Sequence, residues 1–232
     1  MKKRYNPDNL TQAQLWMLSL SAVLARHNGY PHDTLYVAEK TQNNIDNIKR
    51  ALKRDHGISD KSELLEVLNK FLTDGFRYGE YFFKERYFIS ALSEDTQNAY
   101  LMGLKKDSQL YIDYQLVKNY DKSLPKDGLL AYDYGRYVLT CRSAANIDLI
   151  SAEEAWALML KAAILVQKAY SSWREYGLAF IVGRQTWSSN LSLDSTEDQF
   201  ARIKPLIIDP NSPWNKLEWN VKLEAHTTQH KL

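Results

Sequence analysis

Apolar residues recur along this chain at three- and four-residue intervals, the spacing of one face of an α-helix, and nowhere alternate over enough positions to mark a strand. Thr11 with Gln14 forms a capping box ahead of Leu15, Leu18, Ala22 and Ala25, which predicts an amphipathic first helix ending near Asn28-Gly29. From Gln42 to His56, the residues Ile45, Ile48, Ala51 and Leu52 share one stripe before Gly57, a residue suited to a left-handed helix terminus. Asp60 and Glu63 can cap the next helix, in which Leu64, Leu65, Leu68, Phe71 and Leu72 keep helical spacing until Gly75. Ten of the fifteen tyrosines lie between Tyr78 and Tyr137, a stretch that predicts two or three shorter helices.

Pro125 and Gly128 interrupt the pattern and predict a loop, after which a long helix runs from about 127 or 129 to Asn146. Ser151 with Glu154 is a second capping box, opening a helix whose inward stripe is Ala155, Leu158, Met159, Ala162 and Val166. Ser172 with Glu175 opens the next in the same way. Past Trp187, residues 188–199 read as a polar loop with one short helix after it. Residues 207–219, with two prolines and several Asp, Asn and Ser, predict an ordered irregular segment anchored by Trp214 and Trp219. The fold class is therefore all-α: a single compact multi-helix bundle with an ordered irregular C-terminal segment. Residues 1–40 form an N-terminal helix and loop packed on the main domain, 41–219 the helical domain, and 220–232 a flexible tail.

Composition narrows the setting. With 232 residues, the chain should bury roughly three-quarters of the surface its unfolded form exposes, without disulfides. Thirty basic against twenty-eight acidic residues leave a net charge of +2, too small for the broad positive field of a nucleic-acid binder. Cys141 is the single cysteine, which excludes a cross-linked secreted domain and favours the cytoplasm. The basic start followed by apolar residues mimics a signal peptide, but Asn6, Asp8, Asn9, Gln12 and Gln14 intervene and Ser19 and Ser21 break the apolar run. No run approaches the ~20 apolar residues of a membrane span.

Two segments share the pattern Ala-x-x-x-Gly-Arg: Ala131, Gly135, Arg136 and Ala179, Gly183, Arg184. Alanine and glycine four apart lie on one helical face and permit close backbone approach, so the two helices are expected to cross at Gly135 and Gly183. Such a crossing would offset the roughly 1 kcal/mol that a mid-helix glycine costs. Each arginine projects about 100° around its helix from the contact and would flank the crossing, with Asp133 the nearest carboxylate for Arg136.

Further motifs surround these: Asp-x-Gly-Arg at 133–136, Ile-Ser-x-Glu-Glu-Ala-Trp at 150–156, Ser-Ser-Trp-x-Glu-Tyr-Gly at 171–177, Gly-Arg-x-x-Trp at 183–187 and Asp-Pro-x-Ser-Pro-Trp-Asn at 209–215. Together they resemble the bacterial domain-of-unknown-function family numbered 1266, over roughly residues 50 to 219. Tyr176 stands where that family carries Phe, and Gly75-Phe76-Arg77 where it carries Gly-His-Arg. The resemblance implies a mainly helical bacterial domain with no assigned catalytic residue or cofactor.

The candidate site gathers Asp133, Arg136, Trp173, Arg184, Trp187, Asp209, Asn211 and Trp214 into one polar and aromatic pocket, since arginine clamps carboxylate or phosphate and tryptophan supplies flat apolar walls. The structural reading of the same residues is the favoured one, with Asp133 and Arg136 a helix pair, Arg184 meeting a helix C-terminus and Trp214 a plug for the tail. His27, His32 and His56 are scattered, and His226 with His230 lacks companions at a metal-ligand spacing, so no metal and no cofactor are expected. Cys141, beside Arg142 in a helix, reads as a small buried residue, and no serine-nucleophile elbow, phosphate loop or dinucleotide fingerprint is present. Residues 77–88 interleave basic and aromatic residues as single-strand platforms do, but Glu80 and Glu85 offset Arg77, Lys84 and Arg86, which argues against nucleic acid. Two classes remain. One is a non-catalytic module that binds another bacterial protein. The other is a metal-independent hydrolase or transferase acting on a small anionic molecule, with Asp133 or Asp209 as acid/base and the arginines as anion stabilisers.

Overall fold

A computed structural model describes residues 5–73, 78–125 and 129–223. The described residues contain no strand and form twelve α-helices: α1 (Gln12–Ser19), α2 (Ala22–Asn28), α3 (Gln42–His56), α4 (Lys61–Thr73), α5 (Tyr78–Ser90), α6 (Glu94–Gly103), α7 (Gln109–Tyr120), α8 (Leu130–Asn146), α9 (Ala152–Ala169), α10 (Trp173–Ser188), α11 (Leu193–Ile208) and α12 (Pro213–Lys216). The all-α bundle predicted from periodicity is what forms. Gly75, the Gly75-Phe76-Arg77 variant, the loop at 126–128, and His226 with His230 lie outside the described residues.

Helix α8 is the hub. Almost every residue from Ala131 to Asn146 is buried, because α1, α2, α3, α4, α9 and α10 all pack against it. The capping boxes at Thr11 and Ser151 form as expected, each side chain accepting the backbone N–H three residues on while Gln14 or Glu154 reaches back. At α10 the box is incomplete. Ser172 Oγ accepts from Glu175 N, but the Glu175 carboxylate takes the Ser171 backbone N–H and hydroxyl instead. Gly29 and Gly57 end α2 and α3 in the left-handed conformation that glycine adopts without strain.

Two expectations fail, each for a physical reason. The first helix is neither continuous nor amphipathic: it breaks at Leu20-Ser21, and Leu15 through Ser19 are buried on every side. The break is held from a distance. Ser19 O accepts the indole N–H of Trp214 at 2.9 Å, Leu20 O accepts the Tyr176 hydroxyl at 2.8 Å, and Ser21 Oγ accepts Arg142 Nη1 at 3.0 Å. The polar loop expected at 188–199 is instead the start of α11, a sixteen-residue helix. Ser192 caps it by accepting the Ser195 N–H, and Gln199, Ile203 and Leu206 turn one face inward.

Arg142 fastens the segment between α2 and α3 to the hub. Its guanidinium is fully buried and donates to Pro31 O, Thr34 O, Leu35 O and Ser21 Oγ, so carbonyl dipoles do the work a carboxylate would do. Burial lowers its pKa to about 10, which leaves it charged at neutral pH. Beside it, Asn146 Oδ1 accepts the Ala38 N–H at 2.9 Å.

The α8/α10 packing uses both glycines, offset by one turn. A Cβ on Gly135 would sit 2.7 Å from Phe180 Cε2, whereas one on Gly183 would sit 2.8 Å from Leu129 O and 2.9 Å from Tyr132 Cβ. Advancing along α8 from 129–132 to 135 therefore moves back along α10 from 183 to 180, so the helices run antiparallel and neither glycine faces the other. Gly177, on the next face, admits the edge of Trp214, whose Cζ3 would lie 2.9 Å from an added Cβ.

Gly183→Leu should lower the melting temperature by more than about 5 °C in a thermal melt, because the obstruction is backbone that cannot turn aside. Gly103→Ala, with open space around it, should change it by less than about 1 °C and serves as the control. Arg142→Met should cost at least about 2 kcal/mol in urea unfolding by stranding buried carbonyls, with faster hydrogen exchange in the segment between α2 and α3.

Candidate functional site

The close approach at Gly183 decides where its neighbours go. With the α10 backbone pressed against Leu129 and Tyr132, the next residue, Arg184, falls beside the first turn of α8. Its guanidinium carbon lies 5.9 Å from the centre of the Tyr132 ring and 4.5 Å from that of Trp187, three residues on along the same face. From α8, Arg136 reaches the same walls, 5.4 Å from Tyr132, 5.7 Å from Trp187 and 4.9 Å from Phe71 of α4. Two guanidinium groups thus share the Tyr132 and Trp187 rings. Each such contact contributes roughly 0.5–2 kcal/mol, more as the cation is desolvated.

The electrostatics are uneven. Asp133 Oδ1 lies 3.7 Å from Arg136 Nη1, a loose i,i+3 ion pair within one helix. Nη2 of Arg136 approaches His56 Nδ1 at 3.5 Å, and since a guanidinium can only donate, the imidazole nitrogen facing it accepts. Burial first and the Arg136 charge second lower the His56 pKa to about 4, so that ring is neutral at pH 7. Burial likewise lowers the Arg136 pKa and raises that of the Tyr132 phenol. Arg184 makes no hydrogen bond among the described residues, and its Nη1 is shielded from solvent without an acceptor. Trp187, 40% exposed, forms the rim.

The eight residues expected in one pocket fall into three groups. Asp133, Arg136, Arg184 and Trp187 come together. Trp173 and Trp214 belong to a separate aromatic cluster with Trp16, Trp219 and Tyr176, the rings of Trp173 and Trp214 being stacked at 5.7 Å and Trp16 meeting Trp173 at 5.0 Å. Three of those indoles donate to backbone: Trp173 to Leu217 O, Trp214 to Ser19 O and Trp219 to Tyr170 O. They pin the C-terminal segment to α1 and α10, as does Gln167, which donates to Trp219 O and Val221 O. Asp209 and Asn211 are exposed in a turn in which Asp209 Oδ1 accepts the Asn211 N–H at 2.8 Å. His56, Phe71 and Tyr132 join the arginine group without having been singled out as site residues. Only the i,i+4 spacing of Tyr132 to Arg136 was a local signal.

Other candidate groups have structural places. Cys141 is fully buried, and burial raises its pKa, so it carries no reactive thiolate. Arg86, from the basic and aromatic stretch, is occupied in donating to Asp121 and to the carbonyls of Asp121, Leu124 and Pro125. Among the described residues no group of three His, Cys, Asp or Glu could hold a metal ion, and no helix is long and apolar enough to cross a membrane.

The family described as "Protein of unknown function (DUF1266)" matches residues 51–219, which include the arginine group and the aromatic cluster apart from Trp16. The chain is similar to the uncharacterized protein YbeR of Escherichia coli (strain K12), with 27% identity over 138 residues, 60% of this chain and 57% of that protein. The match thus spans little more than half the length of the relative. No solved structure matches.

Because the folded-state pKa of His56 lies below its ordinary value of 6.5, unfolding takes up a proton at acid pH. The stability this group protects is present above about 6.5 and is lost as pH falls toward 4, by up to about 3 kcal/mol. An NMR titration of the His56 ring should show a midpoint near 4, and His56→Gln should lose less stability than wild type between pH 6.5 and 4 in urea unfolding. A midpoint near 6.5 would mean that the ring is solvated.

Proposed function

The chain belongs to the DUF1266 family of proteins of unknown function, and we propose that it works as a non-catalytic interaction module that takes an anionic group of another bacterial protein at Arg136 and Arg184. The single observation that carries this reading is Arg184, a guanidinium held against the Trp187 ring at 4.5 Å with no hydrogen bond to any acceptor among the described residues. Buried polar groups in folded proteins are satisfied as a rule, and a donor left open beside a half-exposed indole is suited to an acceptor brought from outside. The aromatic walls fix the guanidinium plane beforehand, which cuts the entropy lost on binding.

The hydrolase or transferase reading needs a carboxyl group to move a proton. Asp209 Oδ1 accepts the Asn211 N–H within its own turn, and Asp133 lies 3.7 Å from Arg136 of its own helix, so each carboxylate has a partner within the chain. Both facts support binding over catalysis. Buried, unpaired Cys141 supports a cytoplasmic setting, and the engagement of Arg86 weighs against a nucleic-acid surface at α5.

Affinity capture from lysate of the source bacterium tests this, using the full chain with Arg184→Gln and Trp187→Ala, each first shown by circular dichroism to be folded. Wild type should retain one protein in near-stoichiometric amount and each variant at least about fivefold less, equivalent to about 1 kcal/mol. Equal retention by Arg184→Gln would move the interface elsewhere.

A further inference from the structure

We infer that the outward side of α11 is where two copies of this chain meet, their helices antiparallel about a twofold axis that passes between Phe200 and Ala201.

Helix α11 packs on α2, α10 and α12 and turns Gln199, Ile203 and Leu206 inward. At 100° per residue, Glu197, Phe200, Ala201, Lys204 and Ile208 fall within about 100° of arc on the opposite side. All five are exposed, Phe200 at 46% and Ile208 at 63%. Single exposed apolar residues are ordinary on a protein surface, whereas apolar residues aligned along one side of a helix are the pattern of a contact surface.

The two charges in this stripe choose its occupant. Neither Glu197 nor Lys204 makes a hydrogen bond or ion pair among the described residues, while Arg202 on the flank is already paired with Asp198. Seven residues separate Glu197 from Lys204, about 10.5 Å along the axis, which is too far for them to pair within one helix. A twofold axis midway between them sets Glu197 of each copy opposite Lys204 of the other and Phe200 opposite Ala201. Both charges are then matched, and the largest ring on the face meets its smallest side chain. A parallel pair would instead bring Glu197 against Glu197 and Lys204 against Lys204. A uniformly acidic or basic partner would match one end of the stripe and repel the other, so the face is complementary to itself.

Two sixteen-residue helices, each about 24 Å long, offer less than the about 1,200–2,000 Å² of a standard interface, so the association is reversible. Sedimentation equilibrium of the full chain from about 1 to about 300 µM should show monomer and dimer in exchange, with a Kd of about 10–100 µM. Glu197→Lys and Lys204→Glu, each shown by circular dichroism to be folded, should each weaken the dimer at least about tenfold. The double variant carrying both should return to within about threefold of wild type. Such a recovery comes only from pairing between copies, because the two positions do not reach each other along one helix. Phe200→Asp should leave a monomer.

A chain that stays monomeric over the whole range overturns the inference, including the case in which a different protein occupies this face and is lost in Phe200→Asp. So does a dimer unchanged by Phe200→Asp or by either charge reversal, and so do single reversals that the double variant fails to restore.

Discussion

The break between α1 and α2 is the constraint on which the rest of the molecule depends. A carbonyl inside a continuous helix is occupied by the N–H four residues on; at the break, Ser19 O and Leu20 O accept an indole from the C-terminal segment and a phenol from α10. One residue further, Ser21 Oγ accepts Arg142 from α8. Three elements remote in sequence are thereby joined at three consecutive residues. All of these groups are buried, so each bond is held at low dielectric, and losing any one leaves its partner unsatisfied. The same Tyr176 hydroxyl also donates to Ala131 O, which ties α10 to the start of α8 beside the arginine site.

Small residues then set how closely the helices approach, and the approach sets where the long side chains go. Removing the Cβ at 183 lets α10 meet Leu129 and Tyr132, and the residue that follows, Arg184, is carried against the Tyr132 and Trp187 rings. Site and scaffold are therefore one structure: the contact that stabilises α8 against α10 also aims Arg184. Phe180, packed edge-on against Tyr132 at 5.3 Å and over Gly135, holds the ring that both arginines share. Rigidity of this kind favours recognition, because a group whose rotamer is fixed by packing loses little freedom when it binds.

What could be read from the sequence was whatever is settled within a few residues. The boxes at Thr11 and Ser151, the helix end at Asn28-Gly29, the left-handed Gly57, and the stripe through Ala155, Met159, Ala162 and Val166 are local and formed as expected. The break at Leu20 was not legible, because nothing between Gln12 and Asn28 punctuates a helix and the donors that stabilise it come from positions 142, 176 and 214. The start of α11 was hidden because its inward residues, Ile203 and Leu206, lie late in the helix while its first turns are polar. In the site, Asp133 with Arg136 and Arg184 with Trp187 were legible through i,i+3 spacing and the adjoining glycines. His56 was not, since its contact with Arg136 spans eighty residues of chain. Trp173 and Trp214 fit a pocket wall and a core equally well by type; only their stacking and their backbone acceptors assign them to the core.

The arginines themselves separate architecture from recognition. Arg142, fully buried, meets four oxygen acceptors, and Arg86 meets four at the end of the turn after α7. In both, the cost of desolvating a cation is offset inside the chain, and the result is a fastening. Arg184 has comparable shielding at Nη1 but only π-faces to meet it, and aromatic contact does not replace the hydrogen bonds that water would make. That difference in satisfaction, rather than any difference in residue type, is what sets Arg184 apart from Arg142 and supports the recognising role proposed for it.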